Sequence, residues 1–153
     1  MATLAIVQCG ARKIWKNDPK RGPTPAKEAY TSGYFQKNRA YAERFADRWL
    51  ILSAKYGFLN PDTRIHNYNV SFLEPKSKPI SRAQLQAQVK MKRLSCYRHV
   101  VVLGGVLYAD KVQEAFCSIK SRIHRPFNGL RGIGYIQQRV TRALRQGKPF
   151  SLR

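Results

Sequence analysis

At 153 residues the chain carries 29 Lys and Arg against 8 Asp and Glu, a formal net charge of +21. A hydrophobic fraction of 43% with 11% aromatics excludes a disordered basic tail. Met1-Ala2-Thr3-Leu4 lacks the basic flank and apolar stretch of a signal peptide, and no run approaches membrane-spanning length. The expectation is therefore one cytoplasmic domain spanning residues 1–153, with no membrane contact.

Leu4-Ala5-Ile6-Val7 is a short apolar run closing on Gln8-Cys9-Gly10 and predicts a buried strand. The loop that follows collects Arg12, Lys13, Lys16, Lys20 and Arg21 against Asp18 alone. Thr24-Pro25 has the form of a helix start, Thr as N-cap and Pro at the first helical position. Tyr34, Asn38, Tyr41, Ala42 and Phe45 continue that helix to about Ala46. Trp49-Leu50-Ile51-Leu52 predicts a second buried strand, ending at Ser53-Ala54-Lys55-Tyr56-Gly57.

Residues 58–78 hold Pro61 and Pro75 and are of mixed polarity, an excursion without regular structure. Ser81 then caps a helix whose predicted apolar stripe is Ile80, Ala83, Ala87, Met91 and Leu94. His99-Val100-Val101-Val102-Leu103 predicts the third strand, closing on Gly104-Gly105. Tyr108, Val112, Phe116 and Ile119 face inward from the next helix. A last helix spans about 134–146, with Arg139, Arg142 and Arg145 mostly outward. Apolar strands without alternation, separated by helical patterns, predict an α/β fold: a three-layer domain with a mainly parallel central sheet, helices on both faces and a basic C-terminal helix.

The charge is unevenly spread. Glu114 is the last acid, and Lys120, Arg122, Arg125, Arg131, Arg139, Arg142, Arg145, Lys148 and Arg153 follow it. A packed domain so charged repels itself, which points to a polyanionic partner. Nucleic acid is the expected one, DNA ahead of RNA, because each neutralised phosphate releases condensed counterions. Solubility or an acidic protein partner is the alternative reading, and no obligate protein partner can be inferred.

Ligands of open parallel sheets bind beyond the carboxyl ends of the strands. Here those ends carry Cys9, Gly10 and Arg12-Lys13; Ser53, Lys55 and Tyr56; and Gly104-Gly105. Small residues let a ligand approach the backbone, or the glycines simply turn the chain. Lys13 and Lys55 follow strand ends alike, as phosphate contacts or as solvated side chains. Asp62, just past the second strand, is the acid placed to orient water or balance a cationic sugar. Tyr30, Tyr56, Phe58 and Tyr68 are the candidate stacking residues.

Cys9, Cys96 and Cys117 fit neither a zinc site nor a disulfide framework, and Cys96 and Cys117 read as core residues within helices. His66, His99 and His124 show no metal-ligand spacing, so no metal and no cofactor is expected. Gly129-Leu130-Arg131-Gly132-Ile133-Gly134 resembles the hairpin of helix-hairpin-helix DNA-binding motifs, whose backbone amides meet a phosphate. Pro126 and Asn128 interrupt the segment where that motif has its first helix.

Three blocks together carry a wider resemblance: Cys9-Gly10-x-x-Lys13; Pro25-Ala26-Lys27-x-x-Tyr30; and Leu52-Ser53-Ala54-Lys55-Tyr56-Gly57-Phe58-Leu59-x-Pro61 with Tyr68. They resemble a group of bacterial and phage domains related to the YaaA family. The resemblance implies DNA association and an architecture suggestive of base-excising glycosylases. The water-activating Gly-Gln-Asp-Pro-Tyr and His-Pro-Ser type motifs of uracil-DNA glycosylases are not found here. Two functions follow as expectations. One is a DNA glycosylase-like enzyme acting on the N-glycosidic bond of a modified or damaged base, with Asp62, Lys55, Tyr68 and Lys13 as its chemistry. The other is a non-catalytic, sequence-tolerant binding module for DNA or RNA.

Overall fold

In the computed structural model, which describes residues 2–152, the elements in chain order are β1 (Thr3–Gln8), β2 (Thr24–Pro25), α1 (Ala26–Ala29), α2 (Gly33–Phe45), β3 (Arg48–Ser53), β4 (Gly57–Leu59), β5 (Arg64–Ile65), α3 (Arg82–Met91), β6 (His99–Leu103), α4 (Val106–Ala115), β7 (Arg122–His124) and α5 (Ile133–Gln146). The apolar runs at 4–7, 50–52 and 100–103 are buried on both faces, as a central parallel strand requires. β1 lies between β3 and β6 and parallel to both, with Ile6 opposite Leu50 and Val102. β7 adds to β6 in parallel and β4 to β3 in antiparallel, so the order is β4-β3-β1-β6-β7. The result is an α/β fold on a mixed, mainly parallel sheet.

Successive β1 side chains point to opposite faces. Ala5 and Val7 join a buried cluster with Phe35, Tyr41 and Val140 of α2 and α5. Leu4 and Ile6 join another with Leu85, Val89 and Val112 of α3 and α4. Among the described residues no helix is long and apolar enough to cross a membrane.

The long first helix is not formed. Thr24 and Pro25 instead pair with Ile65 and Arg64. The Thr24 hydroxyl is spent in the preceding loop, donating to the Gly22 carbonyl (3.0 Å) and accepting from Arg21 Nε (3.1 Å), so it caps nothing. The chain turns extended at Tyr30 and restarts at α2, where Ser32 Oγ accepts from the Phe35 amide (3.2 Å).

Ser81 does cap α3, in a reciprocal box with Gln84. The buried side chains, however, are Leu85 and Val89, while Met91 is 82% exposed and Ala83 and Ala87 are exposed too. The helix turns its larger branched residues inward, where they bury more apolar area than alanines would. Cys96 and Cys117 are exposed. They lie beyond the ends of α3 and α4 respectively, not inside them. The segment before α5 holds β7 and turns, so the first helix of a helix-hairpin-helix is not present.

Gly57 makes the β3–β4 turn possible. Its φ of +74° favours glycine, and a Cβ there would meet Ile80 Cδ1 at 2.6 Å.

Candidate functional site

The parallel strands β1, β3 and β6 deliver Cys9, Ser53 and Gly104 to one end of the sheet. Cys9 continues the ladder, its amide donating to the Leu52 carbonyl at 3.2 Å. Gly104 lets β1 and β6 close up: a Cβ there would sit 2.9 Å from Gln8 Cβ. The Gln8 Oε1 accepts from the Gly105 amide at 2.8 Å, which ties the two strand ends together.

Beside Cys9 is a cavity of about 290 Å³, walled by residues 8–11 and Lys13, by residues 68–73, and by Leu107 and Tyr108. That is near the lower end of small-ligand pockets, which run to roughly 300–1,000 Å³. No Asp or Glu lines it.

Tyr68 is the node of the polar groups. Ser53 Oγ donates to Tyr68 Oη (2.9 Å) and accepts from the Lys55 and Tyr56 amides (3.2 Å each). Tyr68 Oη also shares a hydrogen bond with Tyr30 Oη at 2.6 Å, in which either hydroxyl can donate. Burial holds both phenols well above the usual tyrosine range.

Cys9 Sγ lies 3.4 Å from Tyr108 Oη. Burial pushes the Cys9 thiol up, so it stays neutral and is a poor nucleophile. Lys13 Nζ sits 4.4 Å from the centre of the Tyr68 ring, a cation–π contact. Desolvation holds the half-buried Lys13 amine below the usual lysine range. Its backbone is pinned by a bridge to Tyr30 and by the Thr31 amide donating to the Arg12 carbonyl at 3.2 Å.

The predicted residues divide sharply. Cys9, Gly10, Lys13 and Tyr68 meet at the cavity, with Ser53 and Tyr30 buried behind Tyr68. Tyr56 is half-buried and stands edge-on to Tyr68, ring centres 5.5 Å apart. Lys55 is exposed, its Nζ 5.2 Å from the Tyr56 ring and 6.0 Å from the Tyr68 ring, outside the cavity wall.

Asp62 is not brought to the site. It is exposed and paired with Lys27 at 2.8 Å. Phe58 and Tyr30 cannot stack on a base, being 1% and 0% exposed. Phe58 packs edge-on to Phe116 on the opposite side of the sheet.

The family described as a family of unknown function, DUF6884, matches residues 4–141. The chain belongs to the DUF6884 family. A similar protein is YfjM of Bacillus subtilis strain 168, described as uncharacterized; the identity is 37% over 147 residues, or 95% of this chain and 97% of YfjM. No solved structure gives a significant match. Every wall of the Cys9 cavity lies inside the DUF6884 match, whereas Arg142 and Arg145 lie beyond it.

Residues 8–11 of this DUF6884 chain also wall a second depression, of about 450 Å³, which opens on Arg12, Ser32, Gly33, Tyr34 and Ile133. Next along α5, starting at Gly134, is a groove of about 760 Å³ against α2, lined by Lys37, Arg142 and Arg145. Lys37 Nζ donates to Thr141 Oγ1 there at 2.6 Å. Arg139 departs from Arg142 and Arg145: its guanidinium stacks 5.0 Å from the Phe150 ring and faces a separate hollow beside His124. Arg131, Gly132 and Gly134 are exposed around the start of α5, and Gly132 has φ +88°. Lys16, Lys20 and Arg21 are exposed on the 11–23 loop, outside these four hollows.

Sequence reasoning missed several of these residues. Gln8 and Tyr108 had a signal, since each adjoins a strand end already singled out. Residues 69–73 had none, because they follow no period and reach the cavity only through long-range packing. Also unanticipated is a histidine pair, His99 Nδ1 to His124 Nε2 at 2.9 Å, made when β7 docks on β6. Burial, then the neighbouring His99 and Arg122, lowers the His124 pKa. Among the described residues no group of three His, Cys, Asp or Glu could hold a metal ion.

Proposed function

We propose that this chain binds nucleic acid, DNA ahead of RNA, and takes a nucleotide turned out of the strand into the Cys9 cavity. The observation that carries the reading is the shared wall at residues 8–11. On one side it faces a cavity with no acidic lining, and on the other a depression holding Arg12 that adjoins the Lys37, Arg142 and Arg145 groove. A phosphate backbone laid along that groove would pass the cavity mouth. In this reading the helices form layers on both faces of the sheet, and α5 is the basic helix that meets the backbone. The resemblance of the residue 52–61 block to the YaaA-related domains points the same way.

Such binding is dominated by phosphate contacts and falls steeply with salt. The expected result for a double Arg142→Ala, Arg145→Ala variant is weaker binding to labelled duplexes. The slope of log K against log salt is expected to fall by about 1–2, roughly one per phosphate contact removed. An unchanged slope would remove this groove from the interface, and no binding at low salt would end the reading.

Cleavage of an N-glycosidic bond is the second reading, and the half-buried Lys13 amine against Tyr68 is what favours it. It sits where a departing base would need a proton or a cationic neighbour. With Asp62 paired to Lys27 outside the cavity, carboxylate activation of water has no support from the geometry. Duplexes carrying altered bases should yield abasic sites with the wild type. Asp62→Asn should cleave as well as wild type; a large loss in that variant would put the carboxylate back in the chemistry.

A further inference from the structure

Lysines held for charge alone reach into solvent or pair with carboxylates. Lys27–Asp62, Arg39–Glu43 and Arg125–Asp110 form ion pairs, none of them at the cavity. Lys13 does something different. Its amine is drawn back over the Tyr68 ring, its backbone is pinned to Tyr30, and no acid lines the space in front of it.

The geometry points to Lys13 as an imine-forming nucleophile for the sugar aldehyde of an abasic nucleotide, making the protein a lyase at abasic sites. This inference rests on the reading that the cavity receives a turned-out nucleotide.

Three features of the cavity fit that chemistry. An amine must be neutral to attack a carbonyl, and the desolvation at Lys13 favours the neutral form. The competing nucleophile is silenced, because burial keeps Cys9 a thiol. The Tyr68 ring holds the amine in place and favours its ammonium form far less than a carboxylate partner would, and no acid lines the cavity to fix the proton.

The step balances within the amine and the aldehyde. The Nζ lone pair bonds to C1′ while the carbonyl π electrons move to oxygen. The two amine protons end on that oxygen, which leaves as water, and a C=N bond remains. Once protonated, the imine draws electrons from C2′. The C2′ proton goes to water, the C3′–O bond breaks, and the 3′ phosphate leaves with its electron pair. Water then hydrolyses the C=N bond and restores Lys13.

The test is reductive trapping. The full chain is incubated with a duplex bearing one abasic site in the presence of borohydride, which reduces a C=N bond to a stable amine. Adducts are resolved on a denaturing gel and the modified peptide is mapped by mass spectrometry. The expected result is one adduct at Lys13, lost in Lys13→Ala and in Lys13→Arg and kept in Lys90→Ala, a surface control on α3. Arg preserves charge and size, so loss in that variant separates nucleophilicity from phosphate contact or folding. A duplex with a tetrahydrofuran abasic analogue, which has no aldehyde, reports binding separately. Binding of that analogue without any adduct, or an adduct that persists in Lys13→Ala, overturns the lyase and leaves nucleic-acid binding standing. Failure of the wild type to bind the analogue overturns both.

Discussion

Phe58→Ala is expected to lower the free energy of unfolding by about 3–5 kcal/mol, as truncation of a fully buried Phe does. The ring is 1% exposed and meets Phe116 edge-on, with centres 6.1 Å apart. It sits in the cluster with Leu85 and Val89, and its own amide donates to Gln88 Oε1 at 2.7 Å. Removing it leaves a hole under the β3–β4 turn that the rigid sheet cannot close. Urea denaturation measures the loss. Nucleic-acid affinity of the folded fraction, measured well below the melting temperature, should be unchanged. A variant that kept its stability but lost affinity would return Phe58 to the binding surface.

The second large effect is alkaline unfolding. The phenols of Tyr30 and Tyr68 are raised well above the ordinary tyrosine value of about 10, chiefly by desolvation. A group raised in the folded state contributes stability that is present below its unfolded pKa and lost as pH climbs above it. Above pH 10 the unfolded tyrosines ionise while the native ones cannot. Each therefore costs about 1.4 kcal/mol per pH unit. Cys9, its thiol raised by burial, acts in the same direction.

Lys13 acts in the opposite direction over a lower window. Its folded pKa is depressed, so the unfolded state binds more protons, and stability rises with pH until the unfolded lysine also deprotonates near 10.5. Unfolding midpoints measured from pH 8 to 11 should fall steeply above about pH 10. Tyr68→Phe should flatten that fall while lowering stability at pH 7 by about 1–3 kcal/mol, because Ser53 and Tyr30 lose their shared partner. A midpoint that stays level from pH 10 to 11 would show that the two phenols ionise in place.

Much of the candidate site is legible in the sequence itself. β1, β3 and β6 announce themselves because a parallel strand buried on both faces needs an uninterrupted apolar run, and such runs are rare elsewhere in the chain. Their carboxyl ends follow directly, which is why Cys9, Gly10, Lys13 and Ser53 could be named from position alone. The net charge of +21 and the acid-free tail are likewise properties of composition.

What composition and period could not supply is partnership between distant residues. Thr24-Pro25 carries a good local helix start, yet its tertiary pairing with Arg64 and Ile65 overrides it. β4 and β7 are too short to show a period and exist because neighbouring strand edges offer hydrogen bonds. Asp62 and Tyr68 are only six residues apart, and both looked eligible for the site. The turn after β4 sends Asp62 out to Lys27, while Tyr68 is buried under Lys13. The Lys13 amine became a candidate nucleophile for the same reason. Local sequence puts a lysine after a strand, but whether it is solvated or desolvated depends on an aromatic ring 55 residues further along the chain.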